Sequence, residues 1–205
     1  MAPVDILVEG SLDAVVAQKL LGHLGLTCGT VFGQRGWTYI QQKVSGFASA
    51  KSPILILVDF MDTGAACAPE IVGSWLPSAH QLCVFRVAVR ELESWLMADR
   101  HTFAEFARIA LVKVPLQPDG ITDPKQTLIN LSRHSRSSTI RNGMVPAQGT
   151  SASEGVSYTP LLTAYCRDHW RPDIAAEASP SLSKALTRLT ELHQTLRANS
   201  ESHHE

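Results

Sequence analysis

Apolar and polar positions fall in short blocks along this chain, and the most regular block is Pro53 to Gly64, PILILVDFMDTG. Ile54 to Val58 are five consecutive apolar residues, too few for a membrane span and suited to a strand buried on both faces of a parallel sheet. Pro53 breaks what precedes it, and Gly64 opens the turn that follows. The run delivers Asp59, and then Asp62, to the strand's carboxyl end. In open α/β sheets that edge is where ligands collect.

The chain before this block reads as strand, helix, strand, helix. Asp5 to Glu9 is a short strand ending in Glu9-Gly10, and Ser11 is the expected cap of a helix carrying Leu12, Val15, Val16, Leu20 and Leu24. Gly25 ends that helix. Thr27 to Phe32 is a second strand, Gly33 to Gly36 a loop, and a helix from Trp37 sets Ile40, Val44 and Phe47 on one face. After the organising strand come a helix around Pro69 to Trp75 and a fourth strand, Leu82 to Val89. The alternation predicts an α/β fold with a mostly parallel four-stranded sheet flanked by helices.

Helical patterns dominate the remainder. Glu91 to Asp99 reads as a helix, continued or restarted through Phe103, Phe106 and Ile109. Asp123-Pro124 starts a helix that runs to Ser132, with Asp at the cap and Pro in the first turn. Arg133 to Ser157 is polar and reads as a surface loop. Tyr158 to Trp170 is helical, and Ser179-Pro180 caps a last helix with Leu182, Leu186, Leu189, Leu192 and Leu196 in a stripe. The expected division is an α/β core over residues 1–112, a helical extension over 113–199 packed on it, and a frayed tail over 200–205.

Composition narrows the functional classes. The chain has 205 residues, 44% of them hydrophobic, enough for a sizeable core. A formal net charge of −1 gives no overall pull toward nucleic acid, so any such contact rests on a local patch, a metal or a partner. The four cysteines, Cys28, Cys67, Cys83 and Cys166, lack CxxC spacing, which argues against zinc and fits reduced thiols in a cytoplasm. No apolar run reaches membrane length, and MAPVDILVEG has no basic leader region. Gly33-Gln34-Arg35-Gly36 lacks the Lys and Ser/Thr of a P-loop, which rejects nucleotide hydrolysis by this chain. His23, His80, His101 and His169 show no ligand spacing. Arg133, His134, Arg136 and Arg141 form a local basic segment, read either as a solvated loop or as a phosphate contact. Trp75, Trp95 and Leu96 are read as core.

The chemistry lies in the acids. Glu9 ends the first strand, with Asp13 one helical turn beyond; Asp59 ends the third, with Asp62 in the turn; Glu91 and Glu93 follow the fourth. Unpaired, so many carboxylates at one edge would repel one another. A divalent cation relieves this, and all-oxygen ligands suit Mg2+ or Mn2+. An acid in a helix's first turn is also favoured by the macrodipole alone, which covers Asp13, Glu91 and Glu93. Glu9 and Asp59 end apolar strands, where an idle charge is costly.

The strand ending in Glu9-Gly10, read on as EGSLDAVVAQKL, paired with a later apolar strand ending in Asp59, resembles the Toprim domain of topoisomerases, bacterial primases and OLD-family nucleases. In the OLD branch the pattern is Glu-x-x-x-acid after strand one, Asp-x-Asp after strand three, a later x-x-Glu, and a Lys. Glu9 with Asp13 matches the first element, Glu93 resembles the third, and Lys125 is the candidate for the fourth. The second departs: Met61 stands where its second acid belongs, and Asp62 is one residue late. The segments RELESWLMAD, TDPKQTL, GMVP and SPSL also resemble a small Toprim-like family encoded beside ATPases in bacterial defence loci.

The resemblance implies a metal-dependent phosphodiester cleavage, on DNA before RNA, by a cytoplasmic defence effector working with an ATPase partner. Glu9, Asp59, Glu93 and Lys125 are its implied catalytic residues, and Glu9, Asp13, Asp59, Asp62, Glu91 and Glu93 its implied metal ligands. Two other readings fit the same acids: a regulatory or scaffolding subunit with a decayed site, suggested by Met61, and a small-phosphate hydrolase or transferase on a flavodoxin-like sheet.

Overall fold

The computed structural model describes residues 1–60, 63–76, 78 and 80–201. Met61 and Asp62, and the last four residues of the expected tail, lie outside them. The fold divides into two units, Met1–Val89 with the helix from Ser183 onward, and Arg90–Leu182. The sequence pattern places its junction later, after residue 112.

The first unit is built on four parallel strands, β1 (Val4–Val8), β2 (Cys28–Gly33), β3 (Ile54–Asp59) and β4 (Cys83–Ala88), in the order β2-β1-β3-β4. The expected parallel α/β sheet is therefore present. Strand β1 pairs with β2 on one side and β3 on the other, with Val8 opposite both Gly33 and Leu57. The chain extends the sheet one way through β2, then crosses back and extends it the other way through β3 and β4. The point where the order reverses lies between the carboxyl ends of β1 and β3.

Alternation along buried strands gives each sheet face its own apolar set. Leu7, Ile54, Ile56, Val58, Phe85 and Val87 join Ile40, Val44 and Ala48 of α2 (Trp37–Ser49) and Ile71 of α3 (Ala68–Trp75) in one cluster. The alternate residues Ile6, Val8, Leu55 and Leu57 are equally buried and belong to the other face. Helix α1 (Ser11–His23) packs on β1 and β3 and buries Val16, Ala17, Leu20 and Leu21. Full burial of each such side chain contributes roughly 1.5–3 kcal/mol. Gly10, not Ser11, occupies the cap of α1. Gly25, at φ +72, ends the helix as the sequence implies.

Gly33 is fixed by two constraints at once. Its φ is +91, and a Cβ there would lie 2.2 Å from the carbonyl oxygen of Val8. The glycine lets β2 run close against β1 and turn directly into the Gly33–Gly36 loop.

The second unit is helical and centres on α4 (Leu92–Ala98), in which all seven residues are buried. So short a helix leaves most of its backbone groups without intrahelical partners, and other segments supply them. Trp170 donates its indole N–H to the Trp95 carbonyl at 3.0 Å, and Tyr165 its hydroxyl to the Leu96 carbonyl at 3.1 Å. The Trp95 indole N–H in turn bonds Ser181 Oγ at 2.7 Å. Asp99 then interrupts the helix. It is fully buried and is held by Arg171 through Nε at 2.9 Å and Nη2 at 2.7 Å. A new helix, α5 (Arg100–Ala107), restarts at once, and Arg108 ends it at φ +53, which leaves Ile109 outside.

Helix α6 (Pro124–Arg133) begins where Asp123-Pro124 predicts, with the Asp123 carboxylate accepting from Gln126 N at 2.8 Å. The Arg133–Ser157 segment, a loop by its polar pattern, holds a helix, α7 (Ser138–Met144), capped by Ser137. Next come α8 (Tyr158–Asp168), α9 (Pro172–Ala178) and α10 (Pro180–Glu201). Ser179 caps α10 by accepting from Leu182 N at 3.2 Å. The helix includes Ser200 and Glu201, which the sequence assigns to a frayed tail.

This packing is testable at two points. Replacing Gly33 with Ala should destabilise by about 1–3 kcal/mol. Gly46→Ala, in an exposed position of α2 with nothing near its would-be Cβ, should stabilise by about 0.5–1 kcal/mol; urea denaturation of both variants checks the pair. The second point concerns acid. Burial pushes the Asp99 carboxyl up, but its bonds from Arg171 and Thr102 outweigh this and leave it below the usual range. Its contribution is therefore complete above the ordinary carboxylate pKa of about 3.9 and lost as pH falls through the lower folded value. Arg171→Ala should lower stability at pH 7 by about 1–3 kcal/mol and flatten the loss of stability below pH 4 in urea melts.

Candidate functional site

In the first unit, Glu9 follows β1 and reaches sideways to the end of β3, where its Oε1 accepts from the backbone N–H of Asp59 at 2.7 Å. The two acids singled out from the sequence are thus tied together, carboxylate of one to amide of the other, at the point where strand order reverses. That point is the usual ligand crevice of open α/β sheets. Asp59 is itself seated by pairing with Ala88 of β4, whose carbonyl also takes the Phe60 N–H at 3.0 Å.

Asp13 lies in the first turn of α1 and is 8% exposed. Its carboxylate folds back over the helix start, so that a Cβ on Gly10 would sit 3.1 Å from Oδ2. A glycine between Glu9 and Ser11 keeps that space open, and the helix macrodipole favours the anion there. The Gly33–Gly36 loop closes on the same strand end. Gln34 N–H donates to the Val8 carbonyl at 2.8 Å and Gly36 N–H to the Glu9 carbonyl at 3.0 Å. The glycines of this loop serve the strand end, with φ positive at Gly33, Gln34 and Gly36.

Asp62 lies outside the described residues, and Glu91, Glu93 and Lys125 belong to the second unit. Glu91 precedes α4, but its Oε2 accepts from the Lys125 N–H in the first turn of α6 at 2.9 Å. With Asp123 bonded to Gln126 N–H, two of the backbone donors that a helix start leaves over are satisfied in α6. Glu93 is 7% exposed and its Oε1 accepts the Tyr158 hydroxyl at 2.8 Å. Burial first, and the Glu93 charge second, push the Tyr158 phenol far above its ordinary range, so it stays a donor. The Lys125 ammonium pairs with Glu154 and stands 5.1 Å from the centroid of the Tyr158 ring. Burial pulls the Lys125 pKa down, but Glu154, and then Glu93 and Glu91, more than offset it and leave it raised. Lys125 is therefore a cation throughout the neutral range.

Sequence reasoning missed Tyr158 and Glu154. Tyr158 reads as a mere helix start, and it lies 65 residues from the acid it serves. Glu154 left a trace: it is the single acid between Asp123 and Asp168. Its position is set by Gly155, whose N–H bonds the Met144 carbonyl at 3.0 Å and where a Cβ would fall 2.2 Å from the Gly143 carbonyl oxygen. Among the described residues no three His, Cys, Asp or Glu side chains are grouped to hold a metal ion, and no helix is long and apolar enough to cross a membrane. No family model, curated protein or solved structure matches the chain.

Removing the hydroxyl in Tyr158→Phe should cost about 1–3 kcal/mol, because the buried Glu93 carboxylate loses a donor. Thermal melting of that variant against Tyr165→Phe, which loses a bond to a backbone carbonyl instead, should show the larger loss at Tyr158.

Proposed function

We propose that this protein is a metal-dependent nuclease of the Toprim type, hydrolysing phosphodiester bonds in nucleic acid, with DNA the first substrate to test. The observation that carries the reading is the Glu9 carboxylate bonded to the Asp59 amide at the reversal point of the sheet. Two strands end there in acids, and a third acid, Asp13, folds back over the intervening Gly10.

The donors fit Mg2+ or Mn2+ in kind, since all are carboxylate oxygens. They also fit in number: Mg2+ commonly keeps several waters and is bound through one or two carboxylates plus substrate phosphates, without a full protein cage. Glu9 and Asp59 would hold the ion, and the resemblance assigns Asp13 and Asp62 to a second. A bound ion of this kind activates water and neutralises phosphate charge. The chain's own part is to hold the acids in place. The 2.7 Å bond fixes the Glu9 carboxylate relative to β3, and the Gly33–Gly36 loop bonds the backbone beneath it. The resemblance gives Lys125 the role of offsetting phosphate charge and Glu93 that of a further acid. Lys125 suits the first in being cationic, and it would exchange Glu154 for the phosphate to do so.

A cytoplasmic setting, an ATPase partner and a role in anti-phage defence complete the proposal, and rest on the resemblance alone. A second reading, a regulatory or scaffolding subunit with a decayed site, is favoured by Met61 at the position of the second Toprim acid.

Supercoiled plasmid and a mixed RNA, each incubated with Mg2+ or Mn2+, discriminate the two. Cutting should occur with metal, stop with EDTA, and fall to the EDTA background in Glu9→Gln and Asp59→Asn. No cutting of either substrate, with no metal-induced rise in melting temperature, would leave the scaffold reading standing.

A further inference from the structure

Charge is unevenly placed along this chain. From Pro124 to Ser153 there is no Asp or Glu, while Lys125, Arg133, Arg136 and Arg141 all fall in that span, in a protein of net charge −1. The span folds as α6, α7 and the turn after them, and Arg133, Arg136 and Arg141 are exposed. Arg133 and Arg141 line a cleft of about 520 Å3 together with Asn142, Val145, Pro146 and Gln148. Its walls are held in place. The Arg141 guanidinium bonds the Ser135 carbonyl, and Thr150 closes a turn on the Ala147 carbonyl through both its N–H and its hydroxyl. Arg136, three residues from Arg133, lines a second open cleft with Arg108, His101 and one acid, Glu105.

We infer that this basic cleft is a docking site for a nucleic-acid strand, gripped through its phosphates. Two guanidiniums facing one cleft match the bidentate geometry that phosphate oxygens accept. Arg136, three residues on from Arg133, shares a second cleft with Arg108, so this unit offers cations at more than one place to a repeating polyanion. No aromatic side chain lines the first cleft, and stacking on aromatics is how single-stranded bases are usually held. Binding is accordingly to the backbone and indifferent to sequence, with Asn142 and Gln148 adding hydrogen bonds.

The inference rests on the nuclease reading for its purpose but is measured apart from it. Fluorescence anisotropy of labelled single- and double-stranded oligonucleotides, with full-length protein in EDTA, involves neither metal nor cutting; cleavage by the wild type is scored separately. Wild-type affinity should fall steeply between about 50 and 200 mM salt. In Arg133→Gln/Arg141→Gln two phosphates are no longer neutralised, so the log–log salt slope should drop by about 1.4 on a single strand or about 1.8 on duplex. Arg133→Gln alone, which spares the Arg141–Ser135 bond and loses only an exposed, long bond to Asn130, should weaken binding in the same direction with little change in melting temperature. Absence of wild-type binding at the lower salt, an unaltered slope in the double variant, or equal affinity for poly-glutamate would each overturn it.

Discussion

The parallel pairing of β1 with β3 is the constraint on which the rest of the fold depends. Because β1 is flanked by β2 on its other side, the two crossovers leaving and returning to this pair extend the sheet in opposite directions. The connections there diverge, and a gap opens above two adjacent strand ends. A carboxylate emerging from β1 can cross that gap and bond the backbone amide at the end of β3, as Glu9 does. The apolar runs beneath are buried on both faces, and a slip that drew β3 inward by one residue would carry Asp59 into the interior.

The helical unit solves a different problem. A seven-residue helix cannot satisfy its own backbone, yet α4 is buried throughout. Side chains from far along the chain complete it instead: Tyr165 and Trp170 on its carbonyls, Arg171 on the acid that ends it. The two aromatic residues bury apolar surface as well as making a polar bond. The polar groups thus fix orientation within a core that apolar packing alone would leave less specified.

How much of this was legible in the sequence depended on range. Strands β1, β3 and β4 were plain as apolar runs, and α6 was announced by Asp123-Pro124, because both signals are local. Glu9 and Asp59 stood out for a related reason: a charge directly after a buried strand is conspicuous. Helix α7 escaped notice because only Ile140, Gly143 and Met144 of its seven residues are buried, too few to show a period. The end of a helix at Asp99 was legible, with a continuation or a restart left open, whereas the partner that holds Asp99, an arginine 72 residues away, was not. The bond between Glu93 and Tyr158 belongs to the same class. No spacing rule links two helices whose meeting is decided by tertiary packing.

Lys125 carries its own counterion. Glu154 pairs with it from the residue before Gly155, whose backbone is pressed against the end of α7. Any anion that engages this ammonium must therefore displace a resident rival rather than merely shed water. Chloride and similar monovalent ions are poor competitors on those terms, whereas a group with several charged oxygens can displace a single carboxylate. On the proposed reading, the pairing would act as a threshold, holding the lysine in ordinary salt and yielding it to ligands of higher charge density.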